Sequence, residues 1–334
     1  MLMEKIRDRK IKIAVFDTKK NDIDYFNAAN QDGKFEITFF EERLDPDTAP
    51  LAVGYDVACV FTNDIVNKEV INILADEMVN FIALRCAGYN NVDLATAHKR
   101  LHLANVPNYS PYAVAEHAMA MLLTSVRRIH KAYNRTREYN FDIDDLVGFE
   151  LHGKTIGVIG TGKIGKKFIN ICKGFGMNVI AYDKFPDEKS NINYVDKDTL
   201  FKESDIISIH CPLTSSSKHM INKTSISKMK KGVIIVNTSR GGLIDSDALV
   251  EGLLNKKIGA ACLDVYEDES NVFFHDLSNH IMRDGVLARL LSMPNVIITS
   301  HQAFLTDEAL KSIASTTLQN IEEFFNKGFC KNEL

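Results

Sequence analysis

Residues 154–172 read Lys-Thr-Ile-Gly-Val-Ile-Gly160-Thr-Gly162-Lys-Ile-Gly165-Lys-Lys-Phe-Ile-Asn-Ile-Cys, and this stretch decides the fold. The apolar run 156–159 predicts a buried parallel strand, which is followed at once by Gly160-x-Gly162-x-x-Gly165 and an amphipathic helix. The first glycine permits a tight turn, the second lets backbone amides approach a pyrophosphate, and the third lets the helix pack against the strand. The amides at the helix N-terminus can then hold an anion.

A second predicted strand, residues 178–183, completes a βαβ unit and ends on an acid. Asp183 lies about 20 residues beyond the glycines, at the distance typical of a carboxylate that binds a ribose. A lone GxGxxG often marks an ordinary glycine-rich turn, whereas the complete unit favours a Rossmann-type dinucleotide site. The unit begins near the middle of the chain, so we expect another domain before it.

Length and composition limit the class of protein. A chain of 334 residues exceeds the size at which one core keeps growing, so two domains are expected. A net charge of −4 without a basic block argues against a nucleic-acid partner. Six scattered cysteines lack metal-ligand spacing and indicate reduced thiols in a cytoplasmic protein with no metal site. The most apolar long stretch, 113–126, is too short to span a bilayer, so no membrane partner is expected.

The residues before the glycine stretch predict a first α/β domain. Apolar runs at 12–16, 35–40, 56–61 and 81–85 alternate with segments of helical spacing, which implies a parallel sheet with covered faces. The turn 84–93 ends one of these strands, at the edge where open α/β sheets bind ligands. An ordinary strand-to-helix turn is the alternative.

The later part of the chain alternates in the same way. Further strands are predicted at 206–210, 233–238, 259–264 and 296–299. Residues 113–133 predict one helix that is apolar nearly all round in its first half and must be buried, as a domain connector or a subunit contact. Residues 243–254 have helical periodicity, 273–291 predict an irregular surface excursion, and 306–325 predict a closing amphipathic helix.

Three residues near predicted strand ends could carry chemistry: Arg240, Glu269 and His301. Reduction of a 2-oxo acid needs a bidentate cation for the carboxylate and a proton for the developing alkoxide. A carboxylate next to the histidine would hold its tautomer and favour the imidazolium. Taken singly, each has an ordinary alternative: a surface ion pair, a solvated loop charge and a core histidine.

Five stretches carry a resemblance to a known family: residues 82–93, 114–117, 158–165, 236–241 and 301–304. On these the chain resembles the D-isomer-specific 2-hydroxyacid dehydrogenases over essentially its whole length, and most of all the bacterial fermentative D-lactate dehydrogenases. The resemblance implies a reversible hydride transfer from NADH to pyruvate. It also implies a Rossmann domain, residues 110–302, inserted in a flavodoxin-like substrate domain, residues 1–109 and 303–334. Family members form dimers through the helix that follows the first domain.

The resemblance also implies a role for each matching residue. Arg240 would bind the substrate carboxylate, Glu269 would pair with the histidine, and His301 would donate the proton. Further substrate contacts would come from Ala87, Gly88 and Tyr109, and Phe304 is predicted as a wall around the substrate methyl group or, alternatively, as a core residue. The cofactor would contact Gly160, Gly162, Lys163, Ile164, Gly165, Asp183, Cys211, Pro212, Thr238, Ser239, Arg240 and Asp264.

Three points stay open from the sequence. Asp183 predicts a preference for NAD over NADP, although the adjacent Lys184 could weaken the rejection of a phosphate. The substrate could be a longer 2-oxo acid, because a single side chain can resize such a pocket. A protein of another class, an NAD(H)-sensing binding protein similar to the corepressors built on this scaffold, would keep the same three residues.

Overall fold

The computed structural model describes residues 9–334 and divides them into two compact units. Unit 1 contains the described residues up to Ser110 together with Leu305–Leu334, and unit 2 is Pro111–Phe304. The strands are β1 Ile11–Val15, β2 Phe35–Phe39, β3 Val57–Val60, β4 Phe81–Leu84, β5 His102–Ala104, β6 Thr155–Ile159, β7 Asn178–Tyr182, β8 Ile206–Ile209, β9 Val233–Asn237, β10 Ile258–Leu263 and β11 Val296–Ile298.

The α-helices are α1 Lys20–Ala29, α2 Lys68–Asp76, α3 Leu94–Ala97, α4 Pro111–Val126, α5 Ile129–Arg137, α6 Lys163–Gly174, α7 Lys197–Glu203, α8 Lys223–Lys228, α9 Ser246–Leu254, α10 Gly285–Ser292 and α11 Asp307–Lys327. Short 3-10 helices occur at Ala49–Ala52, Gly241–Leu243 and Glu269–Asn271. Within residues 9–334, none of the helices is both long and apolar enough to cross a membrane.

Unit 1 is built on a parallel sheet of five strands in the order β2-β1-β3-β4-β5. One face is covered by α2, whose Val70, Ile71 and Leu74 are fully buried. The other face is covered by the C-terminal helix α11, whose Leu318 and Ile321 pack into the core that contains the β1 side chains. Because helices cover both faces, the strands read as continuous apolar runs.

Unit 2 is built on six parallel strands in the order β11-β10-β9-β8-β6-β7. The chain reverses direction across the sheet between β6 and β8, and such a switch point is where doubly wound sheets bind ligands. The prediction of two doubly wound α/β domains, one of them Rossmann-like, is confirmed.

The apolar segment after unit 1 is two helices rather than one. Arg128 has a φ of 55°, in the left-handed region, and this residue separates α4 from α5. Most of α4 is buried, and Met119 and Leu122 share a hydrophobic cluster with Phe168 of α6. Burial on several sides explains why the first half of this segment is apolar nearly all round.

The prediction of an irregular surface segment at 273–291 is wrong for its C-terminal part, where α10 forms. Asp284 caps this helix, since its side chain accepts hydrogen bonds from the amides of Val286 and Leu287. Leu287 and Leu290 are buried on one face of α10. The capping aspartate followed by apolar residues three positions apart is the sequence signal that was available.

Unit 1 also buries a charge at the end of β4, where the sequence predicts one more strand residue. Arg85 is 2% exposed, and its Nε donates to Asp22 Oδ1 at 3.2 Å. Its Nη2 donates to the carbonyl of Asp17 at 2.8 Å, and the guanidinium lies 4.8 Å from the centre of the Phe61 ring. A buried arginine with these partners is a structural element of the first domain.

Candidate active site

The predicted site residues of unit 2 follow its strands at one edge of the sheet. The glycine loop follows β6, Asp183 follows β7, and Cys211 and Pro212 follow β8. The residues that follow the other three strands are Thr238, Ser239 and Arg240 after β9, Asp264 and Glu269 after β10, and His301 and Phe304 after β11. Because all six strands are parallel, their carboxyl ends lie along a single rim.

The glycine loop has the geometry that its sequence predicts. Gly160 has a φ of 95°, and a Cβ there would lie 2.6 Å from the carbonyl oxygen of His210. A Cβ at Gly165 would lie 2.0 Å from the carbonyl oxygen of Gly160, so only glycine lets α6 approach the loop this closely. At Gly162, which caps α6, no atom lies within 4 Å of a built Cβ. The open N-terminus of a helix of 12 residues, which includes Lys163 and Ile164, fits a pyrophosphate.

Asp183 is fixed by the same loop. Its Oδ2 accepts from the backbone amide of Thr161 at 2.6 Å and from the Thr161 hydroxyl at 3.0 Å. Its Oδ1 accepts from the amide of Phe185 at 2.9 Å. Lys184 is exposed, and its ammonium lies 5.6 Å from the centre of the Phe185 ring. The carboxylate therefore stands at the end of β7 with its orientation fixed by backbone donors.

A hydrogen bond joins the residues that follow β8 to the residues that follow β9. Ser239 Oγ donates to the carbonyl of Cys211 at 2.6 Å, and the Ser239 amide donates to Asn237 Oδ1 at 3.0 Å. Burial raises the pKa of the Cys211 thiol to about 11, which keeps it neutral. The hydroxyl of Thr238 is buried and has no hydrogen-bond partner within the described residues. A buried hydroxyl of this kind fits a polar group of a bound cofactor.

Arg240 is half-buried at the end of β9. Its Nη1 donates to the neighbouring carbonyl of Ser239 at 2.7 Å, and its own carbonyl accepts from Asn237 Nδ2 at 2.9 Å. No carboxylate lies within 4 Å of this guanidinium among residues 9–334. The surface ion pair considered as an alternative is thus not formed, and a partly buried guanidinium at the rim can bind an external carboxylate.

Glu269 and His301 form a close pair, with an Nδ1···Oε1 distance of 2.7 Å. Their side chains are 17% and 15% exposed, so the pair is shielded from solvent. The other oxygen of Glu269 accepts from the backbone amide of Tyr266 at 2.8 Å, which orients the carboxylate. With Nδ1 bonded to Glu269, the remaining ring nitrogen Nε2 is left for a reacting group. Glu269 is therefore not the freely solvated charge of the alternative reading.

His301 sits in a strained turn that Asp264 stabilises. Its φ is 52°, and its amide donates to the carbonyl of Asp264 at 2.7 Å. The Asp264 carboxylate is fully buried and accepts from the amides of Gln302 and Ala303, both at 2.9 Å. It also accepts from the hydroxyl of Thr299 at 2.5 Å. Asp264 thus holds the backbone on both sides of the proposed proton donor.

The predicted substrate contacts in unit 1 lie beyond the end of β4. Asn105 Nδ2 donates to the carbonyl of Ala87 at 2.7 Å, and the Cys86 thiol lies 3.2 Å from the carbonyl of Gly88. Ala87 and Gly88 are half-buried in this loop, and Tyr109 is also half-buried, shortly before the end of the first segment of unit 1. Contact of these three residues with a substrate stays a prediction.

Comparison with known proteins identifies the family. The model of the D-isomer-specific 2-hydroxyacid dehydrogenase NAD-binding domain matches residues 119–303. The D-lactate dehydrogenase of Escherichia coli (strain K12) is 49% identical over 328 residues, which cover 97% of this chain and 100% of that protein. This chain belongs to the D-isomer-specific 2-hydroxyacid dehydrogenases. It is an NAD-dependent oxidoreductase of that family.

Two solved structures agree with the fold, and a further relative agrees with the family. The apo-structure of the Escherichia coli D-lactate dehydrogenase has a TM-score of 0.88 and covers 97% of this chain and 100% of that chain. The pyruvate reductase of Chlamydomonas reinhardtii has a TM-score of 0.89 at 44% identity, covering 95% and 97% of the two chains. The aromatic 2-oxoacid reductase of Clostridium sporogenes is 43% identical over 97% of this dehydrogenase and 99% of that protein.

Several residues at the rim were not singled out from the sequence. Thr161 binds Asp183 within the glycine loop, and the Phe274 ring lies 6.2 Å from that of His301. His117 of α4 lies within 3.4 Å of the Asp264 carboxylate. These contacts join segments far apart in the chain, so local patterns do not predict them. Only His117 lies in a stretch, residues 114–117, that carries the family resemblance.

His210 lies directly after β8 and beside the glycine loop, since its carbonyl oxygen would be 2.6 Å from a Cβ at Gly160. Its Nε2 lies 2.8 Å from the hydroxyl of Ser208, and its ring packs 4.8 Å from that of Phe168. The residue is half-buried. Burial lowers the pKa of His210 to about 3, so the imidazole is neutral when the protein is folded.

We expect this histidine to make the dehydrogenase sensitive to acid. The pKa of His210 is about 3 in the folded state against 6.5 for a free imidazole, so the unfolded chain binds an extra proton between these values and stability falls as pH drops through that window. His210→Gln keeps a polar group near Nε2 but cannot be protonated. Between pH of about 7 and about 4.5, thermal melting should show a smaller loss of Tm in this variant than in the wild type.

His280→Gln provides the control, because His280 is exposed. Its Tm should fall with pH as the wild-type Tm does. Equal pH dependence in wild type and His210→Gln would contradict the account of His210.

Proposed function

We propose that this chain is a D-lactate dehydrogenase, which reduces pyruvate to D-lactate with NADH and catalyses the reverse reaction. The observation that carries the proposal is the shielded Glu269–His301 pair at the same sheet edge as an arginine without a carboxylate partner. The Escherichia coli relative named D-lactate dehydrogenase supports the choice of substrate. A cytoplasmic, fermentative role is part of the proposal.

The proton chemistry is assigned to His301. Reduction of a carbonyl carbon by hydride leaves negative charge on the oxygen, which a positioned acid must neutralise. His301 Nε2 would give its proton to that oxygen, and in the reverse reaction it would take the proton from the hydroxyl. Glu269, bonded to Nδ1 at 2.7 Å, stabilises the imidazolium form that reduction requires. Bound NADH supplies the hydride.

Substrate orientation is assigned to Arg240. A guanidinium offers two parallel N–H donors that match the geometry of a carboxylate. A substrate held in this way has its reactive carbonyl fixed relative to the sheet rim. Orientation of this kind lowers the activation free energy by about 7–11 kcal/mol at most. Phe304, half-buried three residues past His301, is proposed as the wall for the substrate methyl group.

A longer 2-oxo acid is the second candidate for the substrate. The aromatic 2-oxoacid reductase of Clostridium sporogenes is 43% identical to this chain over almost its full length. Differences of one methylene in an apolar pocket are worth about 1–3 kcal/mol, so closely related chains can prefer different side chains. The relative activities with pyruvate and with phenylpyruvate separate the two candidates.

We also infer a homodimer. Helix α5 and the segment after it expose a series of apolar side chains, among them Ile129, Tyr133, Tyr139, Phe141 and Val147. An apolar surface of this kind is typical of a protein–protein interface. It directly follows α4, the helix through which the family resemblance implies dimer formation.

The test of the proposed function is NADH oxidation by the purified protein with pyruvate, followed by chiral analysis of the product. D-lactate as the only isomer supports the proposal. An absence of turnover with pyruvate, together with tight NADH binding, would instead support a sensor of the NAD(H) ratio.

Replacement of Arg240 by lysine should not be conservative. Lysine cannot form the planar two-point contact, and the loss of one hydrogen bond to a charged group costs about 1.5–3 kcal/mol. We expect the KM for pyruvate to rise by about 10-fold to 10²-fold in Arg240→Lys, with the Kd for NADH little changed. Arg289→Lys is the matched control, because Arg289 on α10 is exposed. An equal loss of NADH affinity would make Arg240 a cofactor or folding residue.

Asp183 should make the enzyme prefer NADH to NADPH. Its carboxylate, fixed by Thr161 and Phe185, would accept from ribose hydroxyls and repel a 2′-phosphate. Like charges placed together in a closed site cost several kcal/mol, so the ratio of kcat/KM for the two cofactors should exceed about 10². Asp183→Asn should reduce this ratio, and Lys184→Met should increase it. A ratio near one in the wild type would remove the role of Asp183.

A further inference from the structure

His117 contacts the support of the His301 turn. It lies on α4, with its Nε2 3.1 Å from the hydroxyl oxygen of Thr299 and 3.4 Å from Asp264 Oδ1. The imidazole is 20% exposed, and the Asp264 carboxylate is fully buried. Within residues 9–334, no lysine or arginine lies within 4 Å of that carboxylate, so His117 is the basic side chain beside it.

The hydrogen bonds that link His117, Thr299 and Asp264 have a defined donor and acceptor at each step. The Thr299 hydroxyl has one proton, and its contact of 2.5 Å with Asp264 Oδ1 is much shorter than its contact of 3.7 Å with the sulfur of Met121. The proton is therefore given to Asp264, and the hydroxyl oxygen accepts from His117 Nε2. This fixes the tautomer of His117 with the proton on Nε2.

The chain of bonds continues to His301. Asp264 accepts from the amides of Gln302 and Ala303 and offers its carbonyl to the amide of His301. His301 has a φ of 52°, an uncommon left-handed conformation for a residue with a side chain. Each contact that orients Asp264 therefore helps to maintain the position of the imidazole.

We propose that His117 is a positioning residue for the proton donor, acting through Thr299 and Asp264 on the turn that carries His301. The inference rests on the proposed function. Without the donor at His117 Nε2, the Asp264 carboxylate and the Thr299 hydroxyl each lose a partner. The turn that carries His301 then becomes more mobile. A displacement of about 1 Å at a reacting group can cost about 10²-fold in rate. We expect the effect on kcat, because the contacts of His117 with Thr299 and Asp264 lead to the turn of the proton donor.

The test compares three replacements of His117. In Gln the side-chain amide reaches the place of Nε2, in Asn it reaches only the place of Nδ1, and Met offers no donor. We expect kcat for pyruvate reduction to fall by about 10-fold to 10²-fold in His117→Met and His117→Asn, and to stay within about threefold of wild type in His117→Gln. The Kd for NADH should be unchanged in all three. Equal kcat in the three variants would overturn the proposal, as would a loss confined to Tm.

A double-mutant cycle tests the route through Thr299. Thr299→Val should lower kcat as His117→Met does, and the double variant should lose little more, since both changes break one chain of bonds. Fully additive losses would overturn the route. Glu116→Gln is the control on the same helix, because Glu116 is exposed and should leave kcat as in wild type.

Hydrogen exchange gives a measure that does not depend on the substrate. The amides of Gln302 and Ala303 should exchange about 10-fold faster in His117→Met than in wild type or His117→Gln, because their acceptor is less firmly held. If wild type and Glu116→Gln fail to reduce pyruvate while this difference appears, the proposed function is wrong and the positioning role stands. If the enzymes reduce pyruvate and exchange is the same in all variants, the positioning role alone is wrong.

Discussion

The parallel arrangement of the six strands in unit 2 is the constraint on which the site depends. Parallel strands end at one edge, so residues separated by more than a hundred positions, such as Gly160 and His301, follow strands of the same rim. The strand ends then present different groups: an open helix N-terminus after β6, a carboxylate after β7, a guanidinium after β9, and the Glu269–His301 pair after β10 and β11. A hydride transfer that needs a cofactor and a proton donor together is well served by this geometry.

The rim also shows two uses of a carboxylate. Asp264 is fully buried and binds three donors, so it acts on the backbone and orients the turn of His301. Glu269 binds one backbone amide and keeps its second oxygen for His301 Nδ1. Two acids after the same strand therefore differ in role because their hydrogen-bond partners differ.

The sequence predicts the regular parts of this structure well and the irregular parts less well. Continuous apolar runs identify ten of the strands, but β5 reads His-Leu-Ala and is too short and too mixed to form such a run, whereas the equally short edge strand β11 reads Val-Ile-Ile. The glycine loop is predictable because a side chain at Gly160 or Gly165 would clash with neighbouring backbone, while Gly162 leaves the N-terminus of α6 open. The break at Arg128 and the contact of His117 with Asp264 are not, since both depend on tertiary packing that local periodicity does not record.

The Glu269–His301 pair is the central claim, and kcat for pyruvate reduction in Glu269→Gln tests it most directly. Glu269→Gln keeps the shape of the side chain but removes the charged partner of His301 Nδ1, and a hydrogen bond to a charged group contributes about 1.5–3 kcal/mol, so kcat should fall by about 10-fold to 10²-fold. Glu267→Gln is the matched control two residues away, because Glu267 pairs with His219 at 2.5 Å. Its kcat should equal that of the wild type. A kcat of Glu269→Gln equal to that of the wild type would contradict the assignment of Glu269 as the partner of the proton donor.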